Sequence, residues 1–210
     1  MEYATSARFR ELSHRLGLSD HISQHAYATL VHHYGEDHRK YHNLVHIDRM
    51  LGWMDAVGES NDAMEWAIWY HDAIYDPLGA DNEERSARFF RECLAAWIPA
   101  SLADEIERLI LATDLKRTRS GRDDENLMID IDLSILGSAP EDYAAYRTAI
   151  RSEYAVVPED RFLPGRRAIL VHFLSRQIYH TPPFQKLETQ ARLNMREEIA
   201  ALDAAMQAHP

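Results

Sequence analysis

Apolar residues recur along most of the chain at the spacing of an α-helix, and the alternation typical of β-strands is absent. In the segment that starts RKYHNLVHIDRML at residue 39, Leu44, Ile47, Leu51 and Met54 would line one face of a helix. The same period predicts helices over 5–16, 20–34, about 39–58, 62–73, 81–98, 102–113, 125–136, 140–154, about 163–180 and 183–207. We therefore expect an all-α protein with a single helical-bundle domain of nine or ten helices over residues 1–210.

Local signals mark several ends of these helices. Asp62 can cap the helix over 62–73, which is apolar nearly all round and should be central. Asp81 and Glu84 have the spacing of a capping box. Pro182 and Pro183 separate the last two segments. The segment IDIDLSI at 129–135 has an alternative as a strand.

Composition narrows the kind of protein. Of the 210 residues, 46% are hydrophobic, enough for a sizeable core, and the formal net charge is −11. This charge argues against general affinity for nucleic acid or an anionic membrane. The single cysteine, Cys93, the lack of a long apolar segment and a charged N-terminal stretch favour a cytoplasmic protein without a membrane span.

Four residues, His46, His71, Asp72 and Asp132, suggest a metal site. His71 and Asp72 adjoin one another in an apolar helix, where a charged carboxylate needs a partner such as a cation. Neighbouring helical residues point about 100° apart, so this pair converges only where the helix ends or distorts. Asp132 and Asp130 lie in another apolar run. With His46, the set of two imidazoles and carboxylates from separate helices suits Mn²⁺, Fe²⁺, Co²⁺, Ni²⁺ or Zn²⁺.

The order H…HD…D resembles the HD-domain superfamily of metal-dependent phosphohydrolases, a helical fold. YHNLVH and DLSIL resemble segments of cyclic nucleotide phosphodiesterases, and HDAIYD resembles the HDxxED pattern of guanosine tetraphosphate hydrolases, with Tyr75 in place of the Glu. A group of small bacterial predicted HD phosphohydrolases is similar in RxYHNxxH, HDxxYD, DNEExSA, DLSILG and a late REY…GR pattern, which reads RSEY…GR in this chain. This resemblance covers 39 to about 180.

The resemblance implies roles for individual residues. The metal ligands would be His46, His71, Asp72 and Asp132, and His42 would be a general acid. Asp76 falls on the last Asp of HDxxED. Either Asp72 or Asp76 would accept a proton from the attacking water. Glu83 would lie at the rim of the site, with a solvated residue of the first helical turn as the alternative. Residues expected to bind substrate phosphate are Arg39, Arg147, Arg151 and Arg166.

Several alternatives stay open at this point. Taken alone, two histidines four residues apart are more typical of surface or core histidines, and His42 has an alternative as a hydrogen-bond partner of a carboxylate. Asp130 fits a supporting or structural role better than a ligand role. Salt bridges are an equal alternative for Arg147, Arg151 and Arg166. No histidine lies between His71 and Asp132, which favours one firmly held metal, with room for a second Mg²⁺ or Mn²⁺ held mainly by water.

The predicted function is hydrolysis of a small, nucleotide-like phosphate ester or anhydride by a metal-dependent enzyme. The alternatives are a metal- or nucleotide-binding sensor without turnover and an HD-type di-iron oxygenase. The substrate would be a small molecule, and the oligomeric state is left open.

Overall fold

A computed structural model describes the backbone of residues 2–208 and the side chains of residues 6–208. Over these residues the chain forms eleven α-helices and no strand, which confirms the all-α prediction. They are α1 Glu2–Arg15, α2 Asp20–Tyr34, α3 Leu44–Ala56, α4 Asp62–Tyr70, α5 Asn82–Leu94, α6 Ala100–Ala112, α7 Asp123–Asp132, α8 Pro140–Glu153, α9 Glu159–Leu174, α10 Pro182–Gln185 and α11 Glu188–Ala208. Short 3-10 segments follow α5 and α7, at Ala95–Trp97 and Leu133–Gly137.

Backbone contacts divide the chain into two compact units, Met1–Met128 and Ile129–Pro210. The prediction of one domain over 1–210, with its metal-site core at about 39–180, stays a prediction.

The first unit is built around α4, which is buried along its whole length. Trp66 and Trp69 are fully buried, and the ring of Phe9 from α1 meets them edge-on at 5.1 and 5.2 Å. Helices α3, α5 and α6 also pack against α4. This confirms that the apolar helix is central, and it places the end of α4 inside the protein.

In the second unit, α9 and the segment Leu133–Gly137 pack against α11. Tyr143, Arg166 and Glu198 form a buried polar cluster there: the Tyr143 hydroxyl donates to Glu198 over 2.5 Å, and Arg166 Nε donates to it over 2.8 Å. The buried Glu198 carboxylate, bonded to both Tyr143 and Arg166, therefore joins α8, α9 and α11.

Several predicted helix ends are wrong because other residues provide the cap. Helix α3 begins at Leu44, not near 39, because Asn43 Oδ1 accepts a hydrogen bond from Val45 N over 2.9 Å. Asn61, not Asp62, caps α4 through Ala63 N at 2.7 Å.

The predicted capping box of α5 is absent. Asp81 makes no side-chain cap bond, and Glu84 pairs instead with Arg117 at 3.0 Å. The predicted segment about 163–180 is a helix from Glu159 to Leu174, and the segment 183–207 is divided into α10 and α11. The segment 129–135 is helical, which excludes the strand alternative.

No helix between residues 2 and 208 combines the length and the apolar character needed to cross a membrane.

Candidate metal centre

The first unit brings two of the predicted histidines together. His46 lies in the first turn of α3, and His71 directly follows Tyr70, the last residue of α4. Both side chains are buried, at 3% and 1% exposed. Because α4 ends at Tyr70, His71 and Asp72 can converge, as the sequence required of an adjacent pair.

The ligand-type atoms of these residues face one another. His46 Nε2 lies 3.3 Å from His71 Nε2, and Asp72 Oδ2 lies 3.0 Å from His71 Nε2 and 3.8 Å from His46 Nε2. Atoms bound about 2.1 Å from one metal ion are separated by about 3.0 Å at 90° and about 3.4 Å at a tetrahedral angle. The 3.0 and 3.3 Å separations match these values, and the 3.8 Å separation between His46 Nε2 and Asp72 Oδ2 needs a wider angle of about 130° at the same cation.

The other nitrogen of His71 is also engaged in the manner of a metal-binding histidine. His71 Nδ1 lies 3.0 Å from the carbonyl oxygen of Ile68, which can only accept a hydrogen bond. We therefore assign a proton to Nδ1, which leaves Nε2 facing His46 and Asp72, either as a lone pair for a metal or with a second proton that is donated to Asp72. A backbone carbonyl that fixes the tautomer is a common support for histidine ligands.

Asp72 supplies the negative charge of this cluster. Its side chain is 13% exposed. Burial by itself would raise the Asp72 pKa, but the charge and hydrogen bond of His71, followed by the charges of His42 and His46, lower that pKa well below its ordinary value. Asp72 therefore stays ionised and favours a cation beside it, whether a proton on His71 or a metal.

The two aspartates of α7 differ in role. Asp130 is fully buried, and its Oδ2 accepts hydrogen bonds from His180 N, Thr181 N and Thr181 Oγ1 at 2.7–2.8 Å. These bonds give Asp130 the structural role that its sequence context favoured. Asp132 is the half-buried last residue of α7, about 200° around the helix from Asp130. Asp132 belongs to the second unit, and its role as a ligand stays a prediction.

His42 is not a helical residue, contrary to the expectation of two histidines one turn apart. It lies in the bend before Asn43, and its ring centroid is 5.9 Å from that of His46. Its imidazole stacks on Tyr75 with 4.2 Å between ring centroids. Tyr75 is thus a contact of the site that sequence reasoning treated only as a departure from HDxxED.

Arg39, expected to bind phosphate, has several protein partners. Its guanidinium donates to the Glu36 carboxylate at 2.9 Å and to the backbone oxygens of Asp72 at 2.6 Å and Ala73 at 2.9 Å. The Arg39 side chain is 0% exposed. The bonds to Asp72 and Ala73 stabilise the turn that carries Asp72. Binding of phosphate by Arg39 stays a prediction.

The loop after the HD pair is held by α5. Asn82 accepts a hydrogen bond from Asp76 N and donates one to Asp76 O, and Ser86 makes both kinds of bond with the backbone of Ile74. Asn82 and Ser86 are four residues apart and so share one face of α5. The DNEExSA pattern therefore contains two residues whose contacts shape the HD turn, the segment 71–76 that starts with His71 and Asp72. The sequence offered this signal, and reasoning from it missed it.

The two predicted carboxylates beyond this turn lie in different surroundings. Asp76 is exposed, and its Oδ1 accepts a hydrogen bond from Leu78 N. Glu83 is half-buried, and burial, followed by the charges of Asp114 and Asp72, raises its pKa. The influence of Asp72 on Glu83 agrees with a position near the cluster.

The three late arginines also have protein partners. Arg166 is buried against Glu198, and Arg147 Nε lies 3.8 Å from the same carboxylate. Arg151 donates to Tyr154 O and lies over the Phe162 ring. The salt-bridge alternative therefore describes the contacts of Arg147 and Arg166, and binding of phosphate by any of the three stays a prediction.

Compared with protein-family models, curated proteins and solved structures, the chain gave no match. The resemblance to HD phosphohydrolases therefore rests on the motifs described above.

Proposed function

We propose that this protein is a metal-dependent phosphohydrolase that acts on a small, nucleotide-like phosphate ester or anhydride. The observation that carries the proposal is the convergence of His46 Nε2, His71 Nε2 and Asp72 Oδ2 within 3.0–3.8 Å in a buried setting. The proposal takes Asp132 as the fourth ligand from the H…HD…D resemblance. A buried set with two neutral nitrogens and a carboxylate suits a divalent transition metal better than Ca²⁺.

A metal bound there would polarise a phosphoryl oxygen and lower the pKa of a water molecule. Proton transfer and the orientation of water are assigned to residues of the protein. Asp72 directs Oδ2 to the imidazoles, and the proposed acceptor of a proton from water is Asp72 or Asp76. The lowered pKa makes Asp72 a weak base, whereas Asp76 is exposed and its Oδ1 already accepts a bond from Leu78. Glu83 is proposed to orient water at the rim.

His42 is the proposed general acid. Its imidazolium would protonate the leaving oxygen, which lies on the opposite side of phosphorus from the attacking water. The His42 ring lies next to His46 but outside α3, and this position supports the proposal that His42 acts beside the metal ligands and is not one of them.

The test is phosphate release from a panel of nucleotides, generic phosphodiesters and an aryl phosphate with Mn²⁺, Co²⁺, Mg²⁺ or Zn²⁺. The test variant is Asp72→Asn, which should abolish turnover. The matched control is His25→Ala on the exposed surface of α2, which should not change it. Hydrolysis that persists in Asp72→Asn would contradict the proposal. Metal binding without turnover of any substrate would favour a sensor.

A further inference from the structure

The bend that carries His42 has no helical geometry to fix the imidazole. Helix α3 starts two residues later, at Leu44, and Asn43 supplies its cap. A side chain in such a bend needs contacts from elsewhere to hold one rotamer. For a group that must meet a leaving oxygen, an error of about 1 Å is costly.

Tyr75 makes a close ring contact with His42. The two rings are 4.2 Å apart between centroids and inclined by 28°, which is a stacked arrangement. Tyr41 meets the same imidazole edge-on, at 5.0 Å and 87°. The ring of His42 is thus bounded on one face and at one edge.

Tyr75 is itself held in place by the chain just before His42. His38 Nε2 lies 3.0 Å from the Tyr75 carbonyl oxygen, and the Arg39 guanidinium lies 5.5 Å from the centre of the Tyr75 ring. Arg39 also binds the backbone of Asp72 and Ala73. His38 and Arg39 therefore link the bend before His42 to the turn that carries Asp72. Arg39 contacts both that turn and the Tyr75 ring, so it helps to set the positions of both.

We propose that Tyr75 is a positioning residue that holds the His42 imidazole in one orientation beside the metal ligands, and this inference rests on the proposed function. Stacking occupies the face of the imidazole and restricts its rotation. The ring nitrogens and their proton lie in the ring plane, so they stay available for proton transfer. A glutamate, as in the HDxxED pattern, has no ring with which to do this.

The experiment compares Tyr75→Phe, which keeps the ring, with Tyr75→Leu, which removes it. Phe89→Leu is the matched control, because the Phe89 ring packs on His33 at 4.9 Å, a histidine without a proposed role. Two readouts are taken on each metal-loaded protein: NMR of labelled histidine rings, with His42 assigned from His42→Ala, and turnover of substrates with good and poor leaving groups.

In Tyr75→Leu, the His42 ring protons should lose the upfield shift caused by the Tyr75 ring, and turnover of the poor leaving group should fall about 10- to 100-fold. An aryl phosphate should be affected by less than about 3-fold because it needs little protonation. Tyr75→Phe should restore both readouts, and Phe89→Leu should change neither.

Unchanged His42 resonances in Tyr75→Leu would overturn the inference, as would equal losses on both substrates or failure of Phe to rescue. If the wild-type protein hydrolyses none of the substrates, the proposed function fails, and the NMR comparison alone then decides only whether Tyr75 stacks on His42 in solution.

Discussion

His71 Nδ1 lies 3.0 Å from the carbonyl oxygen of Ile68, one turn back on α4. This bond places a proton on Nδ1 of His71, and it directs Nε2 to a point that His46 and Asp72 also face. The end of α4 therefore positions a nitrogen ligand through the last turn of its own backbone. Such support is common for metal-binding histidines, and it also satisfies a ring N–H that burial removes from water.

The role of His42 can be separated from that of the ligands. If His42 is an acid and not a ligand, His42→Ala should keep the metal but slow turnover of substrates with poor leaving groups by about 10²-fold or more. Turnover of an aryl phosphate should be nearly unchanged. Metal analysis and the two rates decide this, and a loss of bound metal in His42→Ala would make His42 a ligand.

Glu83 and Glu84 provide a comparison of neighbouring carboxylates. Glu83→Gln should reduce turnover with little change in melting temperature, because Glu83 is half-buried and subject to the charge of Asp72. Glu84→Gln should leave turnover intact and cost less than about 1 kcal/mol, because its bridge to Arg117 is exposed. If both variants stay fully active, Glu83 has no part in the reaction.

Arg39 should matter for stability. Arg39→Met removes a buried guanidinium and leaves the Glu36 carboxylate and the Asp72 and Ala73 carbonyls without its hydrogen bonds, so we expect a loss of about 3 kcal/mol in the free energy of unfolding. Arg88→Met, at an exposed position of α5, is the control. Urea denaturation measures both. A normal stability with a raised KM would instead point to phosphate binding by Arg39.

The pair formed by Arg108 of α6 and Asp124 of α7 predicts a pH dependence. Burial would raise the Asp124 pKa, but hydrogen bonds from Arg108 and Arg122 lower it to about 2. A carboxyl with a lowered folded pKa contributes stability above its unfolded pKa of about 4, and loses that stability as the pH falls towards the folded value.

Asp124→Asn should therefore cost on the order of 1–2 kcal/mol at pH 7, after allowance for its partial exposure, and roughly half of that at pH 3. Asp123→Asn, in the same turn but exposed, is the control. Free energies of unfolding measured from pH 7 to pH 3 test this, and an equal cost at both ends would show that the charge of Asp124 is not involved.

Periodicity predicted the all-α fold because helical packing requires apolar residues at that spacing. The predicted ends failed at Asn43, Asn61 and Asp81, where several nearby polar residues could cap a helix and only the chain path selects one. The sequence also predicted that His71 and Asp72 need a helix end, and α4 ends at Tyr70.

Contacts made between distant segments escaped prediction. The sequence contains no sign that Tyr75 stacks on His42 or that Arg39 binds the backbone of Asp72, because both contacts join segments more than 30 residues apart. A buried arginine that binds carbonyls and an arginine that binds phosphate look alike in sequence, since both need the same donors.

Metal content tests the central claim most directly. The purified wild-type protein should hold about one transition metal ion per chain, and removal of the metal should lower its melting temperature. His46→Ala, His71→Ala, Asp72→Ala and Asp132→Ala should each lose the metal, whereas His25→Ala on the surface of α2 should keep it. Full occupancy in the His46→Ala and Asp72→Ala proteins, measured by elemental analysis, would contradict the assignment of the metal centre.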